Sequence, residues 1–129
     1  MIERYTLPEM GQLWTDAFKY QTWLRVEIAV CEAQAELGLI PSEAVEEIKA
    51  KAKFEPERIL EIEAEVRHDV IAFLTNVNEH VGDAGRYIHL GLTSSDVLDT
   101  ALALQLVASL NLILEGLEGL VQAIRYQAQ

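Results

Sequence analysis

A single cysteine, Cys31, stands among 129 residues, so no intramolecular disulfide can form and the core must hold by packing. Prolines number 3 and glycines 7, too few breakers for a disordered chain. Cations are scarce: 10 Lys and Arg face 21 Asp and Glu, a formal net charge of −11. A surface of that sign repels phosphate backbones and anionic lipid, so neither nucleic acid nor a membrane is expected as a partner. An anionic small molecule is compatible only where a few cations and helix N-termini gather. No His-Glu-x-x-His or paired-cysteine spacing occurs, and no phosphate-binding loop or dinucleotide fingerprint, so no metal and no cofactor are expected. Glu3 and Arg4 interrupt the start and no apolar leader core follows. With the lone cysteine, this makes the cytoplasm the expected location.

Half of the chain is hydrophobic, enough for one core, and its periodicity is helical nearly throughout. Tyr20, Leu24, Ile28, Cys31 and Ala35 follow steps of three and four, one stripe of a helix from a cap at Asp16 to a left-handed stop at Gly38. Pro41-Ser42-Glu43 predicts a short second helix with Ser42 as N-cap. Pro56 starts a third, with Ile59, Ile62 and Val66 inward. Asp69 is expected to cap a fourth that buries Val70, Leu74, Val77 and Val81. Residues 82–93 read as a long irregular connection, the kind that often carries function. From Ser94 onward the chain is apolar over more than one face, which predicts a helix wrapped by others. Its uncharged run, Thr100 to Leu114, is shorter than a membrane span needs. The short segments before it cannot enclose it all, and no stop signal precedes Gln129. The expectation is a long helix that has been cut and has lost its partners. No strand is expected.

Two groups of residues suggest chemistry. Arg67-His68-Asp69 joins a permanent cation, a titratable ring and a carboxylate beside a helix N-terminus. His89 lies in the irregular loop, and Thr93-Ser94-Ser95-Asp96 opens the last helix, where hydroxyls and free N–H groups suit a phosphate or carboxylate. Plainer readings stand beside these. Thr-Ser-Ser-Asp is a good N-cap. Arg67 and Asp69 suit a surface ion pair of little worth. His89 suits a core histidine with a backbone partner, and Cys31 is a packing residue. The last helix also suits the seam of an interaction module without chemistry.

Met1-Ile2-Glu3-Arg4-Tyr5 with Pro8-Glu9-Met10, the run Glu57 to Phe73 containing Arg-His-Asp-Val-Ile-Ala-Phe, and His89-Leu90-Gly91-Leu92-Thr93-Ser94-Ser95-Asp96 resemble, in register, the N-terminal part of bacterial adenylosuccinate lyases. These belong to the fumarase/aspartase superfamily. The Thr-Ser-Ser-Asp block is shared with related lyases and cycloisomerases; the Arg-His-Asp segment is more specific. The resemblance implies a β-elimination that breaks a C–N bond and releases fumarate. The substrates are adenylosuccinate, which gives AMP, and the succinyl-carboxamide ribotide of purine biosynthesis. It implies that Arg4 and Tyr5 contact the nucleotide, that Arg67, His68 and Asp69 line the substrate site, and that Thr93 and Ser94 bind the succinyl end. His68 is implied as an auxiliary acid or base, and His89 as a residue near the reacting groups. The family's catalytic serine motif and general-acid histidine have no counterpart in this chain, so the segment alone is expected to be inactive. The fold implied is all-α: a small N-terminal helical domain over 1–93 and, over 94–129, the start of a long central-bundle helix of a homotetramer. Another superfamily lyase or cycloisomerase, or a non-catalytic helical module, are the alternatives.

Overall fold

The computed structural model describes residues 2–128, with Glu3 described by its backbone; Met1 and Gln129, the ends invoked above, lie outside the described residues. All regular structure among them is helical. A short 3-10 turn, Glu3–Tyr5, precedes α1 (Pro8–Gln12), α2 (Asp16–Glu36), α3 (Ser42–Lys51), α4 (Pro56–Val66) and α5 (Asp69–Val81). A 3-10 helix, Gly82–Tyr87, then leads to α6 (Ser94–Gln127).

The core sits where α2, α3, α4, α5 and the first third of α6 meet. At its centre Tyr20 stacks on Phe73 with centroids 5.8 Å apart, and Trp23 meets both edge-on, at 5.3 and 5.5 Å. Phe54, in the α3–α4 link, closes the cluster against Tyr20. Each such ring pair adds about 1 kcal/mol to the area it buries. Ile48, Ile59, Val70, Val77, Val97 and Ala101 are fully buried around it.

The inward stripes run as the periodicity predicts on α2 and α5. Tyr20, Leu24 and Cys31 are buried, as are Val70, Leu74, Val77 and Val81. Val66 departs from its expectation and is exposed, because α4 ends there and the chain turns out through Arg67, in the left-handed region at φ 55°. Gly38 takes φ 71°, the conformation that ends α2.

Three caps fall one residue before the predicted position. Thr15, not Asp16, caps α2 and accepts from Phe18 N–H at 3.2 Å. Pro41, not Ser42, precedes α3, since its fixed φ already sets the entry and it needs no N–H of its own. His68, not Asp69, caps α5: its Nδ1 accepts from Ile71 N–H at 3.4 Å. Asp69 instead accepts from its neighbour Val70 N–H at 2.7 Å.

α6 is the long helix expected from Ser94 onward, and it continues past Glu115 and Glu118 to Gln127. It is long and apolar enough to cross a membrane by length and composition, and its most apolar stretch is 22% buried. Only Val97, Ala101, Gln105 and Ser109 are buried on it. Leu106, Val107, Leu110, Ile113, Leu114, Leu117, Leu120, Val121 and Ile124 all stand exposed, as expected of a helix whose neighbours cannot enclose it.

Candidate functional site

Arg67, His68 and Asp69 occupy the α4–α5 corner, and all three are exposed. The Arg67 guanidinium makes no hydrogen bond or ion pair with the described residues, so the surface pair with Asp69 does not form. It lines a shallow, open depression with Leu60, Glu63 and Ala64. Asp69 instead faces His68, with Oδ1 3.5 Å from Nδ1. Because Nδ1 also receives the Ile71 N–H, it is best read as the ring's lone-pair nitrogen, which puts the proton on Nε2 in the neutral ring.

Arg4 and Tyr5 lie in the opening 3-10 turn, with the guanidinium carbon 4.8 Å from the Tyr5 ring centre. Tyr5 is 73% exposed. Thr93 precedes α6, and its N–H donates to Asp96 Oδ2 at 2.7 Å, the return arm of a capping box. An acid therefore already sits at this helix start. The Ser94 hydroxyl, at the first helical position, makes no hydrogen bond with the described residues and is half-buried. The positive helix end and this hydroxyl suit a carboxylate or phosphate oxygen.

His89 is the most constrained of the candidate residues. Its backbone is left-handed, φ 65°, a conformation costing a non-glycine residue roughly 1 kcal/mol. Its ring Nδ1 is 2.6 Å from Glu27 Oε1, and its N–H donates to Glu27 Oε2 at 2.9 Å. One carboxylate thus holds both the ring and the backbone of one residue. Glu27 is 1% exposed. Burial raises its pKa above the ordinary carboxylate value, and the bonds from His89 offset part of that rise. The expected backbone partner of His89 is therefore a buried acid.

Glu27 was not among the sequence candidates. The available signal was its spacing: it falls four residues after Trp23 and four before Cys31, a charge on the buried stripe of α2. The same face extends to Gln34, whose Nε2 donates to Leu90 C=O at 2.7 Å, and Cys31 Sγ lies 3.7 Å from Tyr87 C=O. Glu27, Cys31 and Gln34 together template residues 87–90 on α2. Burial, then the Glu27 charge, pushes the Cys31 thiol up to about 11, which suits packing and not nucleophilic chemistry.

The exposed corner at Arg67–Asp69 and the loop from His89 to Ser94 lie beyond opposite ends of α5. No hydrogen bond or ion pair joins them, or joins either to Arg4 and Tyr5. Among the described residues no His, Cys, Asp and Glu group of metal-binding size gathers.

A family model described as Lyase matches residues 3–129. The chain is 86% identical, over all 129 residues, to an adenylosuccinate lyase of Synechocystis sp., of which it covers 30%. It is 49% identical to an adenylosuccinate lyase of Bacillus subtilis, again over its full length and 30% of that protein. Among solved structures, 84% of the chain superposes on 26% of a 3-carboxy-cis,cis-muconate lactonizing enzyme from Pseudomonas putida, with a TM-score of 0.77 and 33% identity. A fumarate lyase from Mesorhizobium sp. BNC1 matches 81% of it, over 25% of that structure, with a TM-score of 0.75 and 33% identity. The chain spans about 30% of the length of the curated relatives it matches.

Proposed function

The chain belongs to the lyase family, and from that premise we propose that it is the N-terminal part of an adenylosuccinate lyase. The reaction is a β-elimination that releases fumarate from adenylosuccinate, giving AMP, and from the succinyl-carboxamide ribotide of purine biosynthesis. The observation that carries this reading is the 86% identity across the whole chain, against 33% to the cycloisomerase-type structure.

In this reading residues 1–93 form the small helical domain, and 94–129 begin the bundle helix through which a cytoplasmic homotetramer assembles. Substrate is held by cations and helix ends, in keeping with its charge. Arg4 and Tyr5 meet the nucleotide, with the guanidinium and the ring already side by side. Arg67 makes no ion pair with the described residues and offers a fixed positive charge to an anionic group. His68, with its proton on Nε2 and its Nδ1 held by the Ile71 N–H, donates to substrate or relays a proton. Ser94 and the N-terminus of α6 receive the succinyl carboxylate. The base that removes the proton beside that carboxylate, and the acid that protonates the leaving nitrogen, come from outside these 129 residues. Two of the three groups are exposed and the third is half-buried at Ser94, and none is joined to another among the described residues, which suits a site completed by further chain or by other subunits.

The test is substrate choice by the full-length lyase carrying this segment. Adenylosuccinate should be consumed with stoichiometric fumarate, followed by ultraviolet absorbance, and 3-carboxy-cis,cis-muconate should be left unchanged. Turnover of the muconate alone would overturn the reading in favour of a cycloisomerase.

A further inference from the structure

Glu27 has no role in the reaction just outlined, yet it is a carboxylate withdrawn from water at the middle of α2. A buried acid is costly unless its oxygens are satisfied. Both of them are, and both by the same residue: Oε1 lies on the His89 ring at 2.6 Å and Oε2 on the His89 N–H at 2.9 Å. The second bond holds His89 in its left-handed backbone, which no glycine relieves. The first decides where the imidazole proton sits. A carboxylate can only accept, so Nδ1 must carry hydrogen. Nε2 is then the ring's free nitrogen, and it makes no hydrogen bond with the described residues.

Two further contacts keep this arrangement from loosening. Gln34 holds Leu90 C=O, immediately after His89, and Cys31 lies against Tyr87 C=O two residues before it. The loop that runs on to Thr93 and Ser94 is thereby fixed on both sides of His89.

We propose that Glu27 is a positioning residue for the lyase reaction: it locks His89 as the Nδ1-protonated tautomer and presents Nε2, with its lone pair, to a hydrogen-bond donor on the substrate. This rests on the proposed lyase function and on the family resemblance, which implies that His89 lies near the reacting groups. In the imidazolium form Nδ1 remains bound to Glu27 and Nε2 becomes a donor, so only the outward nitrogen changes its role on protonation.

Glu27→Gln separates this from mere packing. The amide keeps the shape and can still accept the His89 N–H through its oxygen. Its NH2 then faces Nδ1 and donates, which moves the ring proton to Nε2 and turns the free nitrogen from acceptor into donor. Two measurements are made on the full-length lyase: imidazole 15N shifts of His89, and kcat/KM for adenylosuccinate in Glu27→Gln, His89→Gln and the double variant. The proposal expects Glu27→Gln to switch the tautomer and to lower kcat/KM at least tenfold. It also expects the double variant to be no worse than His89→Gln. If Glu27→Gln does not fold, Glu27→Asp retains the charge and should retain the Nδ1–H tautomer while lowering kcat/KM. A switched tautomer with unchanged kcat/KM, while His89→Gln is impaired, overturns the proposal and leaves His89 in the site. Unimpaired His89→Gln removes His89 from the site, and the proposal with it.

Discussion

The indole N–H of Trp14 donates to Ser109 Oγ at 3.2 Å, bridging 95 positions of chain. One turn earlier on α6, buried Gln105 donates its amide to Leu13 C=O at 2.7 Å, and the Ser109 hydroxyl returns to Gln105 C=O at 2.9 Å. These polar side chains interrupt an apolar helix to seat the α1–α2 link against it. Gln105→Leu leaves the Leu13 carbonyl without its partner, at an expected cost of about 1–3 kcal/mol. Urea unfolding followed by tryptophan fluorescence checks this; a midpoint unchanged from the parent chain would mean that water replaces the bond without loss.

Cys31 should be inert in the folded chain. With its thiol pushed up to about 11, only about one molecule in a thousand is thiolate at pH 8, and the side chain is 1% exposed. Iodoacetamide labelling at pH 8 should therefore be at least a hundredfold slower than in urea-unfolded protein. Raising the pH toward 11 should speed labelling as the thiolate fraction rises, and loss of the fold should speed it further, because the cause is burial. Fast labelling of the native chain would contradict the packing role.

The exposed leucine and isoleucine side chains of α6 from Leu106 to Ile124 form a face larger than a monomer ordinarily leaves to water. The 129-residue chain should sediment as a dimer or larger at micromolar concentration. Paired substitutions Leu110→Lys and Leu117→Lys, both on exposed positions, should shift it toward monomer without loss of helical circular dichroism. A clean monomer in the parent chain would show that α6 needs no partner.

The helices and their inward faces could be read from the sequence because apolar spacing records which side of a helix leaves water. Tyr20, Cys31, Val70 and Val77 were visible that way. The caps at Thr15, Pro41 and His68 were not, since the neighbouring Asp16, Ser42 and Asp69 are as good or better capping types and only backbone angles decide between them. The short helices at 8–12 and 82–87 carry too few turns to show a period. Glu27 was hidden for another reason: its partner is 62 positions away, and only the packing of the 87–90 loop on α2 reveals why a charge interrupts an apolar stripe. The exposure of Arg67 and the cap at Thr93 follow local sequence; their use in binding draws on family likeness.

Arg67→Met in the full-length lyase, with kcat/KM for adenylosuccinate and the melting temperature measured on the same preparation, tests the substrate-site assignment most directly. The guanidinium is exposed and makes no hydrogen bond or ion pair with the described residues, so its loss should leave the melting temperature within about 1 °C, as for a surface change away from any structural contact. As an anchor for an anionic substrate group, its loss should lower kcat/KM at least roughly tenfold, about 1.4 kcal/mol of transition-state binding. Ser94→Ala should behave alike, because Thr93, and not Ser94, occupies the cap. A lowered melting temperature with normal turnover would contradict the account and make this corner a structural element only.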